Sequence, residues 1–231
     1  MEFKDDLREH FKIELDVNQS EMFKKYYELL IDYNKHTNLT TITEENEVYY
    51  KHFYDSLTIN NLLPSRGISL CDMGSGAGFP SIPLKIINPD LKITIIDSSN
   101  KRISFLKSLV SNLNLTNVTL IHSRIEDYGK NHLNSFDVIT ARALGHLRLI
   151  SEMAVPMLKV KGIFIAMKGS KGEEELNESL RAIKTVGGLL VNEKYLELPY
   201  NLGNRSLFVI RKVSNVLGYP RTYQQMIKKP L

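Results

Sequence analysis

With 231 residues and 24% charged side chains, the chain is long enough for one large domain with a substantial core and short for two full ones. A single cysteine, Cys71, excludes an internal disulfide and a zinc site of the usual kind, and no stretch approaches the roughly 20 apolar residues that span a bilayer, so a cytoplasmic chain without membrane contact is expected. The net charge of +4 conceals a segregation: residues 1–50 hold 6 Lys/Arg and 12 Asp/Glu, or −6, and the remaining 181 residues hold 24 against 14, or +10.

Charges alternate from Met1 to His10 instead of forming an apolar signal core. Phe23, Tyr26, Tyr27, Leu30 and Ile31 then recur at spacings of three and four, which predicts an amphipathic helix, with Asn18 and Glu21 forming a capping-box-like start. The polar run Asn34-Lys35-His36-Thr37-Asn38 ends it. A second helical stretch over 48–63 stops at Pro64 and Gly67, so residues 1–65 read as a helical cap.

From Ile68 short apolar runs alternate with helical periods, the pattern of βαβ units and a parallel sheet. The predicted strands are 68–73, 92–97, 118–122, 137–140 and 162–167. Between the second and third, Ile103, Leu106, Leu109, Val110 and Leu113 form one stripe, with Ser99 available as N-cap. A further helix begins near residue 173, with Leu176, Leu180 and Ile183 inward, and stops at Gly187-Gly188. Two strands, 189–198 and 206–213, follow around Pro199 and Gly203 and predict an antiparallel C-terminal edge on a mainly parallel α/β sheet. The core therefore spans 66–214, and a basic tail 215–231.

The most informative segment joins the first strand to the next helix: Asp72, then Gly74, Gly76 and Gly78 at alternate positions, then Phe79 and Pro80. Missing side chains let the backbone turn sharply and approach a ligand, although a purely structural turn uses glycine too. Asp97 ends the second strand nineteen positions after Gly78, where a carboxylate can accept from both ribose hydroxyls of a nucleoside cofactor or cap the next helix. A dinucleotide loop reads G-x-G-x-x-G and meets a pyrophosphate, whereas D-x-G-x-G-x-G resembles the loop of class I methyltransferases. An acid at Asp72 suits the ammonium of S-adenosylmethionine and repels a pyrophosphate.

After the fourth strand comes Ile139-Thr140-Ala141-Arg142-Ala143-Leu144-Gly145-His146, with no aromatic N-P-P-Y clamp and no Pro-Cys nucleophile. Cys71 falls within the first strand and reads as core. An acceptor with its own lone pair is favoured. His52 and Asp55, three apart on a cap helix, read as ordering a loop or touching RNA sooner than as a dyad. No histidine shows metal-ligand spacing, and no metal is assigned. Beyond Glu197 no acid follows, leaving Arg205, Arg211, Lys212, Arg221, Lys228 and Lys229 as a polyanion surface or a solvated tail; with Lys159, Lys161, Lys168 and Lys171 they predict a phosphate track.

A more specific resemblance runs through nearly the whole chain. Asn34-Lys35 with Asn38-Leu39-Thr40, His52 with Asp55-Ser56-Leu57, DMGSGAGFPSIP from Asp72 to Pro83, Asp97-Ser98 with Lys101-Arg102, Ser123-Arg124 with Glu126, Arg142-Ala143, Lys168-Gly169, and Tyr219-Pro220-Arg221 with Lys229-Pro230-Leu231 occur in that order. Together they resemble the GidB family, bacterial 16S ribosomal RNA methyltransferases that modify the N7 atom of a guanine. The resemblance implies a Rossmann-like class I methyltransferase fold, S-adenosylmethionine as cofactor, and 16S ribosomal RNA or the small ribosomal subunit as partner of a monomeric enzyme. It implies that Gly74, Gly76, Gly78 and Phe79 line the cofactor, that Asp97 takes the ribose, that Ile125 and Glu126 flank the adenine, and that Arg142 sits at the reacting end, where it and Lys168 are the expected catalytic cations. Phe79 and Ile125 could equally be core, Glu126 and Asp127 a turn cap, and Arg142 a buried ion pair. Ser81 departs from a more frequent glycine, and residues 222–227 read Thr-Tyr-Gln-Gln-Met-Ile instead of a Pro-Gly-type turn. Rival readings are another acceptor for the same cofactor, a non-catalytic ribosome-assembly protein that binds RNA, and a nicotinamide dehydrogenase.

Overall fold

A computed structural model describes residues 3–64 and 67–231, so the expected boundary between residues 65 and 66 lies outside the described residues. The chain opens with α1 (Phe3–Phe11) and α2 (Val17–Thr37). The capping box of α2 is formed by Asp16 and Gln19, not by Asn18 and Glu21: Asp16 has the extended backbone a cap requires and accepts from Gln19 N at 2.7 Å, while Asn18 already lies inside the first turn. Asn38, in the left-handed conformation, ends the helix. Next, α3 (Glu45–Val48) and α4 (Asp55–Leu57) are joined by a π-helical turn, Tyr49–Tyr54. Such a turn carries an extra residue per winding and is frequent beside functional groups; here it carries His52 next to Asp55.

Seven strands follow, with helices between them: β1 (Ser69–Met73), α5 (Ser81–Ile87), β2 (Lys92–Asp97), α6 (Asn100–Asn112), β3 (Val118–His122), α7 (Ile125–Lys130), β4 (Phe136–Arg142), α8 (Leu147–Met157), β5 (Leu158–Lys168), α9 (Gly172–Thr185), β6 (Gly188–Glu197) and β7 (Asn204–Lys212), then α10 (Tyr223–Lys228). The sheet order is β3-β2-β1-β4-β5-β7-β6, with the first five strands parallel and β7 antiparallel between β5 and β6. The order reverses between β1 and β4, so their carboxyl ends splay into a crevice, the usual place for a ligand in such sheets. Met73 and Arg142 end these strands at its mouth.

Strands buried on both faces read as continuous apolar runs, and β1 and β4 supply Leu70, Cys71, Met73, Val138, Ile139 and Ala141, all fully buried. One apolar layer joins Leu7, Phe23, Tyr26 and Leu30 of the N-terminal helices to Ile82 of α5 and to Leu106 and Leu109 of α6. The opposite layer holds Cys71, Met153, Ile183 and, from the C-terminal segment, Met226. Leu180 differs from its expected inward position: it is 46% exposed, because α9 packs on the sheet edge and α8 through Leu176, Ser179 and Ile183 and leaves its shoulder in water. No helix among the described residues is long and apolar enough to cross a membrane.

Candidate active site

The loop after β1 is held by its own backbone. Gly74 N donates to Ile96 O at 2.7 Å and Gly76 N to Asp97 Oδ2 at 3.2 Å, while Asp97 Oδ1 accepts from Ser99 N at 2.8 Å. Asp97 therefore ties the loop to the start of α6, whose N-cap is Ser99. The three glycines have different reasons to be glycine. At Gly76 (φ +61) an added Cβ meets nothing within 4 Å, so that face is open to a ligand; at Gly74 it would lie 2.4 Å from Leu144 Cδ1. Gly78 lines no part of the crevice among the described residues: its Cβ would lie 2.7 Å from Tyr26 Oη and 2.8 Å from Ile82 Cγ1, at φ +104. It lets the loop pack on α2, where Tyr26 donates to Ala77 O at 2.6 Å.

Beneath the loop, Asp72 is completely buried. Its Oδ2 accepts from Ser81 N at 3.2 Å, and its Oδ1 has no partner among the described residues. Burial pushes the carboxyl up to about 7, against the opposing pull of Ser81 and of the Arg142 charge. The hydroxyls of Ser81 and Thr140 lie close enough to draw on it, yet neither meets hydrogen-bond geometry, and both are themselves buried without partners among the described residues. A carboxylate left this way gains from any cation that settles above it.

Three adjoining cavities share walls and form one trough across the carboxyl ends of the strands. The first, about 210 Å³, runs over Asp97 and Ser98 to Ile125 and Glu126 and is closed by Leu149, Ile150 and Met153 of α8 and by Tyr223. Glu126 is buried, with Arg124 Nη1 at 3.9 Å. The middle cavity, about 270 Å³, shares Gly74, Arg102 and Leu144 with the first and reaches Phe79, His52 and Arg142. The third, about 430 Å³, shares His52, Arg142 and Ala143 with the middle one and continues to Lys51, Asp55, Lys168 and Arg205.

Arg142 lies where the middle and third cavities meet. Its Nη1 donates to Lys51 O at 3.0 Å and Asp55 Oδ2 at 2.9 Å, and its Nη2 to His52 Nδ1 at 3.0 Å. Arg205 Nε takes the other oxygen of Asp55 at 2.9 Å. A guanidinium only donates, so Nδ1 of His52 carries the lone pair and Nε2–H points to Thr40 Oγ1 at 3.0 Å; the 3.1 Å approach of Nδ1 to Lys51 O is then a contact without a proton. Burial, followed by the Arg142 charge, pushes His52 down to about 3 and keeps it neutral. Its ring stacks on Phe79 at 4.4 Å, Phe79 stacks on Tyr26 at 5.5 Å, and the Arg142 guanidinium lies 4.9 Å from the Phe79 centroid. Phe79 is thus mostly core and reaches the trough by one edge. His52 and Asp55 form no dyad; they hold Arg142.

Lys168, buried at the end of β5, donates to Gly145 O at 2.5 Å and pairs with Glu175 Oε2 at 2.7 Å. It does not share a track with Lys159 and Lys161, because these lie beside the start of β4 at Asp137 whereas Lys168 lies past its end at Arg142, about five rungs or roughly 17 Å along the strands. Lys159, at the opposite end of β5, is held by Asp137 at 2.8 Å. The tail cations are less free than the acid-poor sequence predicts. Besides Arg205, Arg221 Nε pairs with the buried Glu152 Oε1 at 2.6 Å. Lys212 is an interior fastener, donating to Pro156 O, Leu158 O and Asn134 Oδ1, and burial pushes it down to about 8. Arg211, Lys228 and Lys229 remain exposed. The α8 wall and Tyr223 were not anticipated; Leu147, Ile150, Ala154 and Met157 at helical spacing are the signal that could have found α8.

A family model described as rRNA small subunit methyltransferase G, GidB, matches residues 19–198. A ribosomal RNA small subunit methyltransferase G from Lactobacillus acidophilus is 47% identical over 236 aligned positions, covering 100% of this chain and 98% of the relative. One from Staphylococcus epidermidis is 49% identical over 222 positions, covering 95% and 93%. Among solved structures, a SAM dependent methyltransferase from Aquifex aeolicus matches with a TM-score of 0.57 at 16% identity, covering 76% of this chain and 97% of that one. M. jannaschii TYW2 in complex with AdoMet matches at 0.58 and 15%, covering 76% and 80%. At such identities the likeness is one of fold, the Rossmann-like α/β arrangement described above.

Proposed function

We propose, for a chain that belongs to the GidB family of rRNA small subunit methyltransferases G, that it moves a methyl group from S-adenosylmethionine to the N7 atom of a guanine in 16S ribosomal RNA. It is an S-adenosylmethionine-dependent methyltransferase. The residues of the trough fit that cofactor. Asp97 retains acceptor capacity for ribose hydroxyls, Ile125 and Glu126 line the same first cavity, the open face of Gly76 admits close approach, and Asp72, which itself lines none of the three cavities, holds an unpartnered oxygen just behind the loop, where its charge favours an ammonium.

One observation carries the choice of acceptor atom: among the described residues that line the acceptor end, each His, Asp or Glu that could serve as a general base is tied to a cation, and none is a thiol nucleophile. Both nitrogens of His52 are engaged, both oxygens of Asp55 are held by arginines, and Glu175, through Oε2, is tied to the Lys168 cation and to Leu147 N. Cys71 is buried in β1 and burial pushes its thiol up. An exocyclic amine or a ribose hydroxyl must shed a proton, whereas guanine N7 offers a lone pair. When bound, the cofactor supplies an electrophilic methyl on a sulfonium. The chain's own residues then need only hold the partners in line, and positioning of this kind can be worth on the order of 7–11 kcal/mol. The methylated ring is cationic. Asp55, set between Arg142 and Arg205, lowers the positive charge beside it, and the remaining donors of the two arginines are free for phosphate or a base oxygen. Lys51 and Lys168, which line the third cavity, and the exposed Lys171 just before α9 replace Lys159 and Lys161 in the phosphate path. We place the enzyme in the cytoplasm, as a monomer acting on the small subunit or its RNA.

The test is incubation with the small ribosomal subunit and methyl-labelled cofactor, followed by reduction and aniline cleavage. Label at a guanine whose strand then breaks is expected, since N7-methylguanosine weakens its glycosidic bond after reduction. Label without cleavage would move the acceptor to another atom, and cofactor binding without transfer would favour an assembly protein.

A further inference from the structure

The C-terminal segment contributes to the trough although it lies outside residues 19–198, where the family model matches. It crosses α7 and α8, the two helices whose residues wall the first cavity. Arg221 fixes it there: Nε and Nη2 reach the two oxygens of Glu152 at 2.6 Å each, and Nη1 reaches Lys229 O at 2.9 Å. Glu152 is 2% exposed and lies between Leu149 and Met153 on α8, so the anchor shares a helical face with the cavity wall. Pro220 packs against Gly129 at the end of α7. Beyond the anchor, Thr222 and Gln225 form a reciprocal capping box, so residues 222–227 wind into α10 instead of a Pro-Gly-type turn. Met226 inserts into the core, and Tyr223, three positions before it, lies on the same side of the helix and lines the first cavity together with Ile125 and Glu126. Tyr223 is 44% exposed, a large ring held by its backbone beside the first cavity.

From this juxtaposition we infer that Tyr223 forms one face of the adenine subsite, a purine-stacking position supplied by the C-terminal strap. The inference rests on the reading of the trough as an S-adenosylmethionine site. An aromatic ring on a pinned element costs little conformational entropy to use, and every purine presents a face to it. Leu149, Ile150 and Met153 offer an apolar bed on the α8 side, so the base would be held between α8 and the strap.

The chain contains no tryptophan, so Tyr223→Trp places a single indole at the position. Adenosine and S-adenosylmethionine are each expected to quench its fluorescence saturably, and free methionine is expected to leave it unchanged. In calorimetry, Tyr223→Ala should weaken both adenosine and S-adenosylmethionine by the same factor, about tenfold, with Tyr223→Phe close to wild type. Thermal melting of the three variants checks that the strap stays docked. Wild-type affinity for adenosine in Tyr223→Ala, or quenching by methionine alone, overturns the inference. Failure of the unaltered protein to bind S-adenosylmethionine would instead sink the cofactor reading itself, so the two failures are distinguishable.

Discussion

The two ends of the trough are built from contacts of very different range. At the glycine-loop end, Asp97 meets Ser99 N two positions away and Gly76 N twenty-one positions away, within one strand-loop-strand unit. At the acceptor end, Arg142 meets Asp55 across 87 positions and Arg205 meets it across 150. The first end needs one βαβ unit to be in place. The second needs the N-terminal helices docked on the sheet and β7 inserted beside β5, so it samples the integrity of the whole chain. Binding and transfer should therefore separate under mutation.

Asp55→Ala carries the largest expected effect. It leaves Arg142 and Arg205 without their shared carboxylate in a partly buried site, and single-turnover methylation should fall roughly 100-fold, while the Kd for S-adenosylmethionine changes less than about threefold. Urea unfolding should register a loss of about 3 kcal/mol. Arg142→Ala should show the same split; equal losses in binding and turnover would erase the distinction between the ends.

Within the loop, Gly78→Ala should cost about 3 kcal/mol, since its Cβ would strike Tyr26 and Ile82 in a left-handed conformation. Gly76→Ala has room and should cost about 1 kcal/mol of stability, yet weaken cofactor binding because its face is the open one. Denaturation and calorimetry on the pair would show whether packing and ligand approach are divided as described.

The two ends also answer pH in opposite directions. Asp72, raised from 3.8 to about 7, contributes stability that is complete below 3.8 and lost as pH rises through about 7. His52, lowered from 6.5 to about 3, contributes stability that is complete above 6.5 and lost as pH falls toward 3. Only ionised Asp72 attracts an ammonium, so cofactor affinity should rise about tenfold between pH 5.5 and 7, and Asp72→Asn should flatten that rise. A profile that is equally steep in the variant would remove Asp72 from the site. The smallest effect belongs to Lys159→Ala, at the far end of β5, which should leave the salt dependence of RNA binding unchanged, whereas Lys171→Ala should reduce its slope by about 0.7–0.9.

Much of the framework was legible residue by residue. Strands 92–97 and 118–122 coincide with β2 and β3, and Ser99 caps α6 as its position predicts. The start of β5 was misplaced by four residues because Gly162 reads as a strand boundary; it lies within the strand, where the register shifts and a Cβ would come 2.9 Å from Asp137 O. The helix α8 is hard to read because Pro156 interrupts its apolar period, and the turn at 222–227 because six residues are too few to show one. The cation count of the tail misled for another reason. Composition cannot tell that Asp55, Glu152 and the carbonyls of Pro156 and Leu158 are waiting for Arg205, Arg221 and Lys212.

Taken by itself, the order of amino acids determined the alternation of strands and helices, the loop of alternate glycines and the acid that follows it, because hydrophobic period and backbone turn chemistry depend on near neighbours. Only the closed fold decided which arginine is shared by which carboxylate, which lysines face the trough and which ring closes it. Those choices depend on distance and local dielectric, and both exist only once the N-terminal helices and the C-terminal strap have packed against the sheet.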